Sequence, residues 1–182
     1  MPESMIQKAK FQIEPLTQNH LELVRFWRNQ DSVRLNMEFQ EVITAEMQLN
    51  WFKNLEQDSS RKYFVFSQNL IPIGLVHLAE IDFSTKSAQV GLFVGNEKFH
   101  GTGSAIPASL YIMNLAFGEL GLETLFAKVK SSNQQAIQYN SFLGFQWIKK
   151  ASELFEVYAL TKDQFVKNQP RLEQIYRVDS IG

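Results

Sequence analysis

Three consecutive strand patterns between residues 63 and 94 constrain this fold more than any other feature of the sequence. The runs 63–66, 73–81 and 88–94 are rich in aromatic, aliphatic and β-branched residues, and polar turns separate them. Short connections of this kind predict antiparallel pairing. The third run leads into KFHGTGSAIPAS at 98–109, where a glycine-rich turn precedes a helical pattern. Strands and helices in this order predict a mixed α/β domain.

The rest of the chain extends this interpretation on both sides. Before the three runs, a short strand at 11–13 precedes two amphipathic helices, the first from Leu21 and the second from Thr44. No repeat or linker interrupts the chain, so we predict one α/β (α+β) domain over residues 1–182. The elements predicted after the glycine-rich turn are a helix at 110–120, a strand at 125–129, a helix at 134–143, strands at 145–148 and 155–160, and a helical tail at 163–176 that is broken at Pro170.

Composition narrows the class of ligand. A formal net charge of −1, from 18 basic and 19 acidic side chains, gives no overall attraction to nucleic acid or an anionic membrane, so a small-molecule partner is expected. The chain has no cysteine and three scattered histidines, which argues against disulfides and against a metal site. Neither a signal peptide pattern nor an apolar run long enough to span a bilayer occurs, so a cytoplasmic location is expected.

The glycine-rich turn has the chemistry of an anion site. Gly101 and Gly103 permit backbone torsions that other residues resist, and they let amide N–H groups approach a ligand closely. At a helix start, those groups and the helix dipole favour an anion such as a pyrophosphate. The alternative is a turn that only joins strand to helix, and the spacing fits neither the dinucleotide fingerprint nor a Walker loop. Four neighbouring side chains could add hydroxyl donors or positive charge: Thr102, Ser104, Lys98 and His100.

A second segment places this turn in a family context. Residues 133–145, NQQAIQYNSFLGF, begin with a helix-capping Asn and end at a glycine suited to a helix C-cap. This segment resembles the N-x-x-A-I-x-x-x-x-x-x-G-F signature of the GNAT superfamily of N-acetyltransferases, and Lys98-x-x-Gly101-x-Gly103 resembles that superfamily's acyl-CoA pyrophosphate loop. The resemblance covers about residues 10–160. It implies the GNAT fold, in which a mixed central sheet with a splayed strand pair is flanked by helices.

The resemblance also implies acetyl-CoA as the cofactor and direct transfer of its acetyl group to a primary amine. The pantetheine arm would lie between the splayed strands, and the amides of 101–104 would bind the pyrophosphate. Lys98 stands where Gln or Arg is commoner, which keeps a cation without the planar fork of Arg. Asn133 has an alternative role as a plain helix cap, and both roles can coexist. The other cofactor contacts implied are Leu92, Phe93 and Val94 for the arm and Asn140 beside the cofactor.

One departure from the family pattern concerns proton delivery. Many members carry a Tyr at the position of Asn140, and its phenol protonates the departing thiolate. Asn cannot be a general acid at neutral pH. Tyr139 lies one residue earlier, about 100° around a helix, so it is expected to point differently. Either the thiolate leaves without a dedicated acid, or Tyr139 reaches it by another route; core packing is the alternative role for Tyr139.

The general base has two candidates on one predicted strand. His77 has a suitable intrinsic pKa, although a structural, hydrogen-bonded histidine is the commoner case. Glu80 lies three residues further, so the two side chains are expected on opposite faces of the strand and only one can face the cleft. Gln89, where related sequences often have an acidic residue, cannot be a base.

The acceptor is indicated by residues near the N-terminus. The segment Phe26-Trp27-Arg28-Asn29, with Val33-Arg34-Leu35-Asn36-Met37 after it, resembles GNAT members that acetylate nucleotide-linked 4-amino sugars, as in pseudaminic-acid biosynthesis. Arg28 and Arg34 could bind a diphosphate. The candidate substrate contacts are Arg28, Asn29, Arg34 and Met37.

Two other functions remain open from the sequence. The broader pattern is shared with acetyltransferases that act on ribosomal-protein N-termini, so a peptide amine is the alternative acceptor. A GNAT-fold module that binds acyl-CoA and a partner protein without catalysis is the second alternative, to which Asn140 gives some weight. The family resemblance also suggests a homodimer.

Overall fold

Seven strands form one mixed sheet in the order β1-β2-β3-β4-β5-β7-β6. The computed structural model describes residues 10–176. Neighbouring strands are antiparallel, except that β4 and β5 are parallel. The three strands predicted between residues 63 and 94 are β2, β3 and β4, and their antiparallel pairing is confirmed. The strands are β1 (Phe11–Pro15), β2 (Lys62–Gln68), β3 (Ile71–Asp82), β4 (Ser87–Val94), β5 (Thr124–Lys130), β6 (Gln146–Lys150) and β7 (Phe155–Thr161).

Helices connect the strands and cover both faces of the sheet. Local capping sets several of their ends: the Thr44 hydroxyl accepts from the Met47 N–H at the start of one helix, and Gly144 ends another with a left-handed φ of 105°. Within residues 10–176, no helix has both the length and the apolar character needed to cross a membrane. The helices are α1 (Leu21–Asn29), α2 (Asp31–Arg34), α3 (Ala45–Leu55), α4 (Ile106–Asn114) with a π-helical turn (Leu115–Glu119), α5 (Gln134–Leu143) and α6 (Lys162–Tyr176).

The core consists of two clusters separated by the sheet. Alternate residues of β2 face opposite sides, because successive side chains of a strand do. Val65 packs with α1 and α3, whereas Phe66 packs with the larger cluster that includes α4 and α6. The sheet is therefore buried from both faces along β2 and β3.

The parallel pair β4 and β5 splays apart. It is paired only at Ser87↔Thr124, Ala88↔Leu125 and Gln89↔Phe126, although β4 continues to Val94 and β5 to Lys130. The expectation of a mixed sheet with a splayed strand pair is thus confirmed. Beyond Gln89, the edge of β4 that faces β5 has no strand partner.

Three predicted elements differ from the structure. The helix expected from residue 110 begins at Ile106, since Pro107 lies in the first turn, where its missing N–H costs no hydrogen bond. The connection predicted to be irregular contains α2. The break predicted at Pro170 is wrong, because α6 continues through it. Phe165 and Leu172 on either side of the proline are 2% and 0% exposed, so their packing on the core holds the helix together.

Candidate active site

The diverging strands open a cleft of about 1010 Å³ that runs between the 99–106 turn and α5 on one side and α1 and α3 on the other. The structure brings most of the predicted site residues to its walls. Those that line it are Arg28, Met37, His77, Leu92, Phe93, Val94, His100, Gly101, Thr102, Gly103, Asn133, Tyr139 and Asn140. Those that do not are Asn29, Arg34, Glu80, Lys98 and Ser104.

The glycine-rich turn forms one end of the cleft. Gly101 and Gly103 have left-handed φ values of 71° and 78°, a conformation that side chains with a Cβ resist. Within the described part of the chain, the amide N–H groups of these two glycines have no hydrogen-bond acceptor. A Cβ built at Gly101 meets no atom within 4 Å, so the ligand side of the turn is open. The turn thus presents free amide donors ahead of α4.

Side chains of the turn stabilise its shape. The Thr102 hydroxyl donates to the Phe99 carbonyl at 2.8 Å, and the Ser104 hydroxyl lies 2.9 Å from the Thr102 oxygen. His100 Nε2 lies 2.9 Å from the Val94 carbonyl oxygen, so its imidazole links the turn to the end of β4. Lys98 is exposed in the preceding 3-10 turn. The predicted positive charge of Lys98 is therefore outside the cleft.

The free edge of β4 forms the middle of the cleft. Leu92, Phe93 and Val94 pair with β3 on one side, and on the other side the strand pairing with β5 has ended. Backbone N–H and C=O groups along such an edge can bind an extended ligand as an added strand would. An arm with amide groups fits this position.

The facing wall is α5 together with its N-cap residue. Asn133 Oδ1 accepts from the Ala136 N–H at 3.1 Å, so its capping role is present. Asn140 donates from Nδ2 to the Ala136 carbonyl at 2.9 Å, which engages its amide within the helix. The Tyr139 hydroxyl lies 2.7 Å from the hydroxyl of Ser109 on α4. Ser109 is 4% exposed and also lines the cleft.

His77 lies deeper, near the point where the strands diverge. Its imidazole stacks on Tyr63 with a centroid distance of 4.5 Å and an interplanar angle of 6°. Nδ1 is buried without a hydrogen-bond partner in the described chain. Burial lowers the pKa of His77 to about 4, and the charges of Arg28 and Arg61 contribute to the shift. The ring is therefore neutral at physiological pH.

Glu80 is not brought together with His77. It has a left-handed φ of 51° at an irregularity in the pairing of β3 with β4, and its side chain is exposed. It lines a separate groove of about 620 Å³. The sequence prediction that only one of the two residues faces the cleft agrees with this placement, and His77 is that residue. Within residues 10–176, no group of His, Cys, Asp or Glu is arranged to hold a metal ion.

Of the four predicted acceptor contacts, Arg28 on α1 and Met37 after α2 line the cleft, whereas Asn29 and Arg34 do not. Arg28 lines the cleft with Nη1 buried and without a protein partner, and burial lowers the pKa of its guanidinium. Asn29 faces elsewhere: its amide donates to the Ile43 carbonyl at 2.9 Å and accepts from the Ile43 N–H at 2.8 Å. Arg34 binds Asp31 at 2.6 Å and the Gln40 carbonyl at 2.7 Å. Asn29 and Arg34 thus hold the 30–43 connection in place.

The sequence did not assign Tyr63, Ser109 and Gln48 to the cleft, yet all three are among the residues that line it. Tyr63 connects His77 to Trp51, whose ring meets the Tyr63 ring edge-on at 5.1 Å. Ser109 reaches the cleft from a buried helix face. Gln48 is a polar residue in the apolar stripe of α3 that includes Phe52, and that misfit in the helical pattern was the signal that could have identified it.

Comparison with known proteins agrees with this geometry. The family model for the acetyltransferase (GNAT) domain matches residues 10–146. The chain is also 32% identical over 123 residues to the acetyltransferase PseH of Campylobacter jejuni subsp. jejuni, and that alignment covers 68% of this chain and 74% of PseH.

Solved structures share the arrangement of strands and helices. The crystal structure of Campylobacter jejuni PseH in complex with acetyl coenzyme A is similar with a TM-score of 0.65 and 26% identity, over 84% of this chain and 99% of that one. FdhC, described as a nucleotide-linked sugar GNAT, has a TM-score of 0.77 and 22% identity, over 93% and 97%. Spermidine N-acetyltransferase from Vibrio cholerae, in complex with CoA and spermine, has a TM-score of 0.77 and 17% identity, over 86% and 98%. The likeness to the last two shows the fold alone.

Proposed function

Because this chain belongs to the GNAT acetyltransferase family, we propose that it transfers the acetyl group of acetyl-CoA to a primary amine of a nucleotide-linked amino sugar. The family assignment rests on the domain match over residues 10–146 and on the identity to PseH. The acceptor rests on the charges of the cleft. FdhC, which shares the fold, is described as acting in the class of nucleotide-linked sugars, and this supports the same choice.

The unpaired Arg28 is the single observation that carries the acceptor proposal. A guanidinium whose Nη1 is buried without a protein partner favours an anionic ligand, because an uncompensated buried charge is costly. The acidic side chain among the cleft residues is Glu38, and Lys128 neutralises it by a direct ion pair. A polyamine would need acidic partners, which this wall does not offer. A nucleotide sugar instead supplies a negative diphosphate.

The free amides of Gly101 and Gly103 and the free edge of β4 fit acetyl-CoA. The turn amides would bind the pyrophosphate, and Leu92, Phe93 and Val94 would bind the amide groups of the pantetheine arm through their backbone. Asn133 also lines the cleft while it caps α5, so it could contact the cofactor as well. Bound there, acetyl-CoA supplies an activated acyl thioester near the point of strand divergence.

His77 is proposed to accept the proton that the acceptor nitrogen loses as the new C–N bond forms. A neutral imidazole can do so directly or through a water molecule. Its lowered pKa makes it a weak base, so it would release the proton again readily. The pH dependence of the reaction is then expected to follow the ionisation of the substrate amine rather than that of His77.

Tyr139 is proposed to donate a proton to the sulfur when the C–S bond breaks. Its hydroxyl is oriented by Ser109 at 2.7 Å, and both residues line the cleft. Asn140 cannot take this role, since its side chain is an amide that donates to the Ala136 carbonyl. In this proposal Tyr139 supplies the phenol, one residue before the position of Asn140, where many family members have it.

A thiol-release assay with DTNB tests the proposal. Acetyl-CoA is mixed with a UDP-linked 4-amino sugar, with spermidine, or with a peptide that has a free N-terminus. We expect CoA release with the nucleotide sugar, and we expect Arg28→Ala to raise the KM for that acceptor while Lys53→Ala, on the exposed face of α3, does not. Measurable acetyl-CoA binding without turnover of any acceptor would instead identify a non-catalytic module, and turnover of the peptide alone would identify an N-terminal acetyltransferase.

A further inference from the structure

Two polar side chains in the acceptor wall each have a buried nitrogen without a protein partner. Gln48 is 4% exposed, and its Nε2 has no hydrogen-bond acceptor within the described chain. Arg28 Nη1 is likewise buried and has no hydrogen-bond acceptor within the described chain. Both residues line the cleft. An unmade hydrogen bond of a buried donor costs free energy, so such groups are typically satisfied by a ligand or by water.

The two donors lie on neighbouring helices of one wall. Gln48 precedes Trp51 by one helical turn on α3, and Trp51 contacts Tyr63, which stacks on His77. Arg28 lies on α1, which packs against α3, and its charge lowers the pKa of His77. Gln48 and Arg28 therefore lie on packed helices in the cleft that Trp51, Tyr63 and His77 also line.

Arg34, the second cation that the sequence suggested for a diphosphate, does not join Arg28 and Gln48 in the cleft. Arg34 was expected to share a diphosphate with Arg28, but it is bound to Asp31 and to the Gln40 carbonyl and lies off the cleft. Arg28 takes part in none of the ion pairs formed among the described residues. The donor available beside Arg28 is thus a carboxamide rather than a second guanidinium.

We propose that Gln48 and Arg28 form a phosphate subsite, in which their side-chain N–H groups donate to non-ester oxygens of the phosphate carried by the acceptor. This inference rests on the proposed function. It adds a second residue, beside Arg28, that contacts the diphosphate. The guanidinium supplies the charge, and charge-assisted hydrogen bonds to phosphate are among the strong ones. The Nε2 of the Gln48 carboxamide supplies a neutral N–H donor, which pairs with an oxygen acceptor and not with an ammonium group.

The subsite is tested with UDP as the probe on protein saturated with CoA, so that the CoA phosphate site is already filled. Isothermal titration is expected to show UDP binding to the wild type. Gln48→Met removes the N–H donor while keeping a side chain of similar size. Gln48→Glu replaces the donor with a carboxylate, whose negative charge repels the phosphate. We expect the Kd for UDP to rise about fivefold or more in the first variant and about tenfold to a hundredfold in the second. Gln57→Glu, on an exposed position after α3, makes the same charge change and should leave the Kd unaltered.

Steady-state kinetics separate this inference from the function it rests on. With the nucleotide amino sugar as acceptor, both Gln48 variants should raise its KM by similar factors and leave the KM for acetyl-CoA unchanged. UDP binding that depends on Gln48 without any turnover would support the subsite and refute the proposed acceptor. Equal UDP affinity in wild type and Gln48→Met, displacement of CoA by UDP, or absence of UDP binding at millimolar concentration would each overturn the subsite. Thermal unfolding identifies a folding defect in Gln48→Glu, and Gln48→Met then decides the question.

Discussion

Replacing Gly91 by alanine is expected to displace His77 and to destabilise the protein. Gly91 lies opposite His77 in the β3–β4 pairing, and a Cβ built on Gly91 would lie 2.3 Å from Cε1 and 2.7 Å from Nε2 of the imidazole. Non-bonded carbon atoms prefer roughly 3.5–4.0 Å. The ring would therefore have to retreat by about 1.2 Å. On its other side it stacks on Tyr63, so this retreat must move a second ring as well.

The magnitude follows from the cost of overpacking. Inserting a methyl group into a filled site typically costs about 1–3 kcal/mol. For a chain of this size each kcal/mol lowers Tm by roughly 2–4 °C, so Gly91→Ala should lower Tm by roughly 2–12 °C in differential scanning calorimetry. The same displacement should lower kcat, because the imidazole leaves its position in the cleft.

Two further variants make this prediction specific. Gly118→Ala adds a methyl group where no atom lies within 4 Å, so its Tm should equal or slightly exceed that of the wild type. His77→Ala in the Gly91→Ala background removes the clash, so the two substitutions should be non-additive, with the double variant losing less stability than the sum of the single ones. A Gly91→Ala protein with unchanged Tm and kcat, or strict additivity in the double variant, would refute the packing of His77 on Gly91.

Three other predictions concern the glycine-rich turn, the 30–43 connection and pH. Gly101→Val places a β-branched residue at a φ of 71°, so the Kd for acetyl-CoA in isothermal titration should rise more than about tenfold; retained affinity would contradict the phosphate role of the turn. Asn29→Ala removes both hydrogen bonds to the Ile43 backbone and should lower the free energy of unfolding by about 1–3 kcal/mol in urea, whereas an unaltered midpoint would show that the connection does not depend on them. The folded-state pKa of His77, about 4, is below its ordinary value of 6.5, so the unfolded chain binds more protons between these values. Its contribution to stability is complete above about pH 6.5 and is lost as pH falls toward 4, and His77→Gln should show a flatter decline over that range.

The sequence predicts well those elements that have local signals. Helix α5 runs from Gln134 to Leu143 as predicted, since Asn133 caps its start and Gly144 adopts the left-handed conformation at its end. Both signals lie within a few residues of the helix. The splay of β4 and β5 was predictable only through the family resemblance, because nothing in residues 87–94 or 124–130 indicates where their pairing ends.

The parts that local patterns do not predict depend on packing between distant segments. Pro170 indicates a helix end by itself, yet the burial of Phe165 and Leu172 keeps α6 continuous. Arg28 and Arg34 look alike in the sequence, and only the fold shows that Arg34 binds Asp31 whereas Arg28 enters the cleft. The proximity of Tyr63 to His77 likewise depends on the β2–β3 register.

An internal competition experiment tests the central claim most directly. Equal concentrations of a nucleotide-linked amino sugar and spermidine share one reaction with limiting acetyl-CoA, and mass spectrometry measures the acetyl group on each, which gives the ratio of their kcat/KM values. The unpaired Arg28 and the neutralised Glu38 predict that most of the acetyl group is recovered on the nucleotide sugar. Recovery mainly on spermidine would contradict the proposed acceptor.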